Sequence, residues 1–197
     1  RSTLFPYTTL FRSEPLHKRD NMLVLKAHIA LAETIFPEGI AGPLLDAICR
    51  KPMWQQQCDY GHGTGHGVGY FMNVHEGPQV ISWHAPVLPQ GTLKVGMITS
   101  IEPGIYRPGK WGIRIENLVV NQPVANPQET EFGQFLHFEP LTLCPIDTRL
   151  MDTALMTPTE IQWVNAYHAL VREKLAPRLQ GAALAWLEAR TQPLAKG

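Results

Sequence analysis

The stretch Gly61-His62-Gly63-Thr64-Gly65-His66-Gly67-Val68-Gly69, with His75-Glu76-Gly77-Pro78 shortly after it, decides how this chain can fold. Every second residue of the first run is glycine, and each would cost about 1 kcal/mol in a helix interior, so an extended or looped backbone is favoured. That removes the helical zincin reading of two histidines four apart, which also needs a glutamate where Gly63 stands. In a strand, positions four apart share a face, so His62 and His66 can look into one cavity. The glycines between them let other backbone or a ligand approach closely. A dinucleotide fingerprint fails because His66 occupies the place of its third glycine, and the Gly-Lys-Ser/Thr ending of a phosphate loop does not occur. Standing alone, the pair also reads as two structural histidines with satisfied hydrogen bonds.

Two downstream segments add carboxylates. Ser100-Ile101-Glu102-Pro103-Gly104 ends an apolar run with an acid just before a Pro-Gly turn, and strand ends are where functional groups collect. In the run from Gly112 to Val120 (GIRIENLVV), Ile113, Ile115 and Leu118 take the apolar role while Arg114 and Glu116 share the opposite face. One reading is a solvent-facing ion pair on an edge strand. The other follows from Val119 and Val120, which imply cover on both sheet faces: a buried carboxylate must then be paired or hold a metal. Arg114 is a partial partner, so structural pairing stays open. One imidazole and two carboxylates form a hard-leaning N/O donor set, suited to manganese, cobalt or zinc and unsuited to copper(I) or an iron–sulfur cluster. Two acids able to bridge, with an imidazole, make up most of a two-metal hydrolase centre.

Around this centre the pattern is α+β. Met22, Leu25, Ile29, Ala32 and Phe36 recur at helical spacing, with Asp20 as N-cap and Pro37 and Gly39 as the stop. A short helix is predicted from Pro43 through Ile48, ending before Pro52. The runs GVGYFMNV, VGMITSI, WGIRIENLVV and FGQFLHF read as strands separated by Gly and Pro turns. Thr157-Pro158-Thr159-Glu160 forms a capping box with proline at the first helical position, ahead of a face of Ile161, Val164, His168, Val171 and Leu175. A last helix is expected from Gln180 to Arg190, and Trp54, Trp163 and Trp186 are read as packing residues.

Composition narrows the function classes. The chain has 197 residues, and its 17 Lys+Arg against 17 Asp+Glu leave no net charge to hold nucleic acid or an anionic membrane surface. No apolar run approaches the ~18 residues of a membrane span. Cys49, Cys58 and Cys144 are odd in number, widely spaced and without a Cys-x-x-Cys pair, which points to a reducing, cytoplasmic setting rather than a disulfide framework. Residues 1–13 (RSTLFPYTTLFRS) carry no helical or strand period and resemble the translation of a sequencing-adapter oligonucleotide. They are expected to be a non-native leader, so the protein is expected to extend upstream of Glu14.

The ordered set HGTGHGVG, NVHEGP, SIEPG and IRIEN resembles the successive site motifs of the M24 metallopeptidases, within them the Xaa-Pro aminopeptidase branch. The resemblance covers residues 14–197 and includes FLHFEPLTLCPIDTRLMD and EIQWVNAYHALVREKLAP, which look like that branch's C-terminal extension. It implies a pita-bread (creatinase/methionine aminopeptidase-like) fold, with part of the catalytic domain over 14–130 and the extension over 131–197. It implies two divalent metal ions, manganese first with cobalt and zinc as alternatives, and peptides with N-terminal Xaa-Pro as substrates. Hydrolysis would use a metal-bridged hydroxide. His66, Glu102 and Glu116 are the implied metal ligands, with Glu102 also handling the proton of the attacking water. His62 and His75 are the implied substrate- and oxyanion-contacting histidines, and Arg114 orients Glu116. The family commonly forms homodimers. Two aspartate ligands of its five-ligand centre fall upstream of the first helix, and Asp20, Asp46 and Asp59 do not take their place. The resemblance therefore implies that this stretch alone is inactive. Trp83-His84 and Ile105 depart from the family pattern. A prolidase- or creatinase-type hydrolase and a non-catalytic peptide-binding module on the same fold are the alternatives.

Overall fold

The computed structural model describes residues 15–71 and 73–195; the expected leader over 1–13 lies outside them. Helix α1 (Pro15–Ala32) is the central element. Its Leu23, Val24, Ala27 and Leu31 pack into one core with Phe36, Ile101, Val119, Leu136 and Phe138. Its Met22, Leu25 and Ile29 pack into a second core with Met156, Ile161 and Val164. A helix covered on two sides needs apolar residues nearly all round. The single stripe read from the sequence was thus half of the buried surface.

Two expected boundaries move as a result. Asp20 is not an N-cap: it lies inside α1, fully buried, where Arg107 and the Trp111 indole bind it. Phe36 leaves the helix for the short strand β1 (Phe36–Pro37), opposite Leu136. Helix α2 (Asp46–Trp54) follows a 3₁₀ turn at Gly42–Leu45 and carries Pro52 inside it, instead of ending ahead of that proline.

Strands β2 (Gly65–His66) and β3 (Val80–Ile81) form a two-stranded antiparallel ladder. Strand β4 (Ile98–Ile101) is followed by the hairpin of β5 (Gly104–Arg107) and β6 (Trp111–Arg114). Gly109, at φ +70°, turns that hairpin, a conformation glycine adopts without strain. Strands β7 (Asn117–Pro123) and β8 (Phe135–Pro140) complete an antiparallel sheet ordered β1-β8-β7-β4. The expected strand GVGYFMNV is mostly loop. After one bridge between Gly67 and Thr99 the chain leaves the sheet, and Tyr70 and Phe71 stand exposed.

The two C-terminal helices form where expected; in the buried face of the first, Tyr167 takes the place of Leu175, which is only half-buried. Thr157 caps α3 (Pro158–Leu175) in a reciprocal capping box with Glu160, and Ile161, Val164, Tyr167, His168 and Val171 form its buried face. Helix α4 (Gly181–Arg190) buries Leu187 against Tyr167 and Val171. Trp163 packs as expected, whereas Trp54 and Trp186 remain 41% and 52% exposed and are not core residues.

Candidate functional site

Strand β2, the end of β4 and the hairpin β5–β6 meet around a hollow of about 490 Å³ lined by His62, His66, His75, His84, Glu102 and Arg114, among others. The glycines of the first motif make that meeting possible. A Cβ on Gly65 would overlap the Ser100 carbonyl oxygen, and one on Gly67 the Glu76 carbonyl oxygen. The Glu102 amide donates to the Thr64 carbonyl at 2.8 Å, which fastens the SIEPG turn to the HGTGH segment.

Glu102 is the buried acid, at 7% exposure, with three partners. Its Oε2 accepts from Arg114 Nη1 at 2.8 Å, and its Oε1 accepts from Ser100 Oγ at 3.1 Å. Oε1 also lies 3.0 Å from His66 Nε2. The other ring nitrogen of His66, Nδ1, is 3.0 Å from the Gly67 carbonyl. A carbonyl oxygen only accepts, so Nδ1 carries a hydrogen, and Nε2 is left to face a carboxylate oxygen that likewise only accepts. Two acceptors 3.0 Å apart attract only with a proton or a cation between them. The pair therefore fits a cation in its donor chemistry.

The same accounting orients His62. Its Nδ1 lies 2.8 Å from the Gly63 carbonyl, so it donates there, and Nε2 accepts at 2.8 Å from Tyr106 Oη. Tyr106 Oη in turn accepts from Arg114 Nε at 2.8 Å. The direction is fixed along the whole chain: Arg114 to Tyr106 to His62 to the Gly63 carbonyl. Burial works to lower the Arg114 pKa. Tyr106, Glu102 and Glu116 more than offset it and hold the guanidinium above its ordinary value.

His75 is exposed, with its ring 4.2 Å from that of His66, and makes no side-chain hydrogen bond among the described residues. Glu116 is placed differently from the others. It is exposed and lines a neighbouring hollow with Asn21, Asn117 and Asp147, across Arg114 from Glu102. The expectation that β-sheet cover would bury Glu116 fails because residues 115–116 lie between strands β6 and β7; the buried acid is Glu102. Among the described residues no three His, Cys, Asp or Glu side chains form a metal-holding group. The structure brings His62, His66, His75, Glu102 and Arg114 to one hollow and leaves Glu116 beside it.

Each aspartate set aside as a ligand has an arginine. Asp20 meets Arg107, and Asp46 and Asp59 both meet Arg50. Burial works to raise the Asp20 carboxyl, and the bonds from Arg107 and Trp111 outweigh it, so its pKa lies below the usual carboxylate value. Sequence reasoning missed three contributors: Tyr106, His84 and the Asp46–Arg50 pair. The Tyr106 signal was present in the glycines at 104 and 112, since a Cβ at either would strike the Tyr106 ring. Asp46 and Arg50 gave no such signal, because an i,i+4 acid–base pair on a helix ordinarily faces solvent.

Comparison with known proteins places this geometry in a lineage. The profile of metallopeptidase family M24 matches residues 6–123, and that of the C-terminal region of peptidase_M24 matches residues 134–194. The chain is 47% identical over 173 residues to the probable Xaa-Pro aminopeptidase P of Coprinopsis cinerea, covering 87% of this chain and 28% of that protein. It is 45% identical over 192 residues to aminopeptidase P2 of Arabidopsis thaliana, covering 95% of this chain and 27% of that protein. The crystal structure of X-prolyl aminopeptidase from Caenorhabditis elegans, a cytosolic enzyme with a di-nuclear active site, superposes with a TM-score of 0.84 at 41% identity. It is covered over 29% of its length by 92% of this chain. The chain thus spans under a third of the length of these relatives.

Proposed function

Since the chain belongs to metallopeptidase family M24 and has its pita-bread fold, we propose that the protein releases the N-terminal residue from peptides carrying proline in second position. The observation that carries this reading is the opposed pair His66 Nε2 and Glu102 Oε1, a site shaped for a cation. His66 and Glu102 would hold divalent metal, manganese first, with the remaining donors coming from outside this hollow, Glu116 beside it among them. When bound, the metal supplies Lewis acidity toward water and the peptide carbonyl.

The chain's own residues supply the rest. Glu102, with Oε2 held by Arg114, receives the proton given up by the attacking water. His75, whose ring nitrogens have no other side-chain partner among the described residues, donates to the carbonyl oxygen as negative charge develops on it. His62, fixed in one tautomer by Gly63 and Tyr106, forms part of the wall against the substrate. The nitrogen of a proline-preceding bond has no hydrogen to be gripped, so a shaped histidine wall takes over that task. We assign this protein to the cytoplasm and to a homodimer, and residues 14–197 on their own to an inactive part of the centre.

The test is an assay of the full-length protein, stripped of metal and reloaded with manganese, cobalt or zinc. Release of the first residue from an Xaa-Pro-Yaa tripeptide supports the reading. Cleavage confined to Xaa-Pro dipeptides makes it a dipeptidase, and no cleavage of either with metal bound overturns it. Glu116→Ala should abolish both bound metal and turnover. Two ions retained in that variant by metal analysis would remove Glu116 from the ligand set. Residues 15–197 alone should show no turnover.

A further inference from the structure

Arg50 is entirely buried, a placement that costs an arginine several kcal/mol unless its charge and its donors are all met. Here they are. Nε donates to Asp46 Oδ2 at 2.9 Å, Nη1 donates to Asp59 Oδ1 at 2.6 Å and to the Tyr60 carbonyl at 2.8 Å, and Nη2 donates to the His62 carbonyl at 2.6 Å. The guanidinium also lies 3.9 Å from the centre of the Tyr60 ring. Asp46, equally buried, accepts at its other edge from the Thr64 hydroxyl, and its Oδ2 accepts the Trp83 amide at 2.7 Å. Thr64 is joined in turn to the Tyr60 hydroxyl.

All of these contacts act on residues 59–64 and on the chain at Trp83, the two flanks of the histidine hollow. Arg50 holds the His62 carbonyl, and with it the peptide plane between His62 and Gly63, while Asp46 holds the Thr64 side chain one residue further on. The direction in which His62 leaves the backbone is set with that plane. A lysine has neither the planar fork nor the donor count to reach these acceptors.

We infer that the buried Arg50–Asp46 pair of α2 is a positioning device that aims His62 and the His66 strand into the hollow. The inference rests on the proposed role of those histidines, while its test does not require activity. The test is the two-bond ¹H–¹⁵N spectrum of the imidazoles in the full 197-residue chain. His28 and His168, both fully buried and neither lining the histidine hollow, serve as internal references for the fold. Wild type should show His62 as the single Nδ1–H tautomer.

In Arg50→Lys the His62 nitrogen shifts should move toward tautomeric averaging, with His28 and His168 unchanged. A folded Arg50→Lys chain with an unaltered His62 pattern overturns the inference. Should that variant unfold, Thr64→Val decides, since it deletes one hydroxyl and keeps the ion pair. A moved His62 or His66 signal over unmoved references supports the device, and unmoved signals overturn it. In the full-length protein, Arg50→Lys should lower kcat by about 100-fold with metal content retained, the scale of a small misplacement. An inactive wild type would sink the proposed function and leave the imidazole result standing.

Discussion

The segment from Asp59 to His66 and the C-terminal region from Met156 to Leu187 are anchored in opposite ways. The first is held by Asp46, Arg50 and Thr64, all at 0% exposure and all polar. The second is held by Ile161, Val164, Val171 and Leu187, all apolar. The cause is in the residues themselves. Beyond Tyr60, which joins the core, a run of glycine and histidine whose side chains must face a hollow has almost no apolar area to bury, so hydrophobic burial alone cannot fix it. Directed, charge-assisted hydrogen bonds can. Helix α3 buries Ile161, Val164 and Val171 beside Tyr167 and His168, whose polar atoms bond the Cys144 carbonyl and the Ile146 amide, so area supplies most of the attachment there and hydrogen bonds add to it. Precision in the site therefore comes from buried charge, and attachment of the C-terminal region comes mainly from area.

The largest effect that separates the two modes is Asp46→Ala. It strands Arg50 without its counter-charge and leaves Thr64 and the Trp83 amide short of an acceptor, for a loss of about 3–5 kcal/mol in denaturant unfolding. Replacing both partners, Asp46→Leu with Arg50→Met, should return only the part of that loss due to the stranded charge, because Thr64, the Trp83 amide and the Tyr60 and His62 carbonyls stay without their partners. It should not return the wild-type His62 imidazole spectrum. Recovery of both would show that shape alone positions the segment. On the apolar side, Leu25→Ala empties a fully buried site facing Ile161 and Val164 and should cost about 3 kcal/mol. The hollow's imidazole signals should stay where they are.

This contrast also explains what the sequence could reveal. Apolar spacing disclosed α1, α3 and α4 and the capping box at Thr157, because area-driven contacts repeat with the period of the element. The alternation of glycine and histidine disclosed that residues 62 and 66 share a hollow, since the steric demand for close backbone approach falls on those glycines. The clamp beneath them was illegible. Asp46 and Arg50 lie more than ten residues upstream on a helix, and only tertiary packing distinguishes a buried i,i+4 pair from a solvated one. The burial of the two acids was legible only in part. Glu102, read as an acid at a strand end, gave no sign that β2, Ser100 and Arg114 enclose it. Glu116, in an apolar run, resembled a buried one, yet it falls in the break between β6 and β7.

The pH response sharpens the comparison, since the imidazoles of His28 and His168 are buried among the apolar contacts. Burial pushes His28 down to about 4, with the carbonyls of Ile101 and Ile115 opposing that shift only in part. Folded, the imidazole is neutral; unfolded, it takes up a proton near pH 6.5. The unfolded chain then holds the extra proton between pH 6.5 and about 4, so stability falls as pH drops through that window. The share from His28 is roughly 2 kcal/mol between pH 7 and pH 5. His168, also lowered by burial, acts in the same direction. Urea midpoints across that range should slope less in His28→Leu than in wild type. An unchanged slope would mean that water reaches the ring.

The smallest expected effect lies at the N-terminus of α3. The Glu160 amide donates to Thr157 Oγ1 at 3.2 Å, and the Thr157 amide donates to Glu160 Oε2 at 2.7 Å. Thr157→Ala removes only the first of these bonds, because the second uses backbone N–H and survives, as does the ion pair from Lys26 to Glu160. Loss of an N-cap hydroxyl typically costs about 1 kcal/mol. If the C-terminal region is held by its face, the variant frays one turn, lowers the unfolding midpoint slightly and leaves Val164 and Val171 as protected from amide exchange as before. A loss above about 3 kcal/mol, or exchange spreading along the helix, would show that α3 is pinned at its end. The helix would then be fixed by directed hydrogen bonds, as the histidine segment is, and the distinction between the two regions would fail.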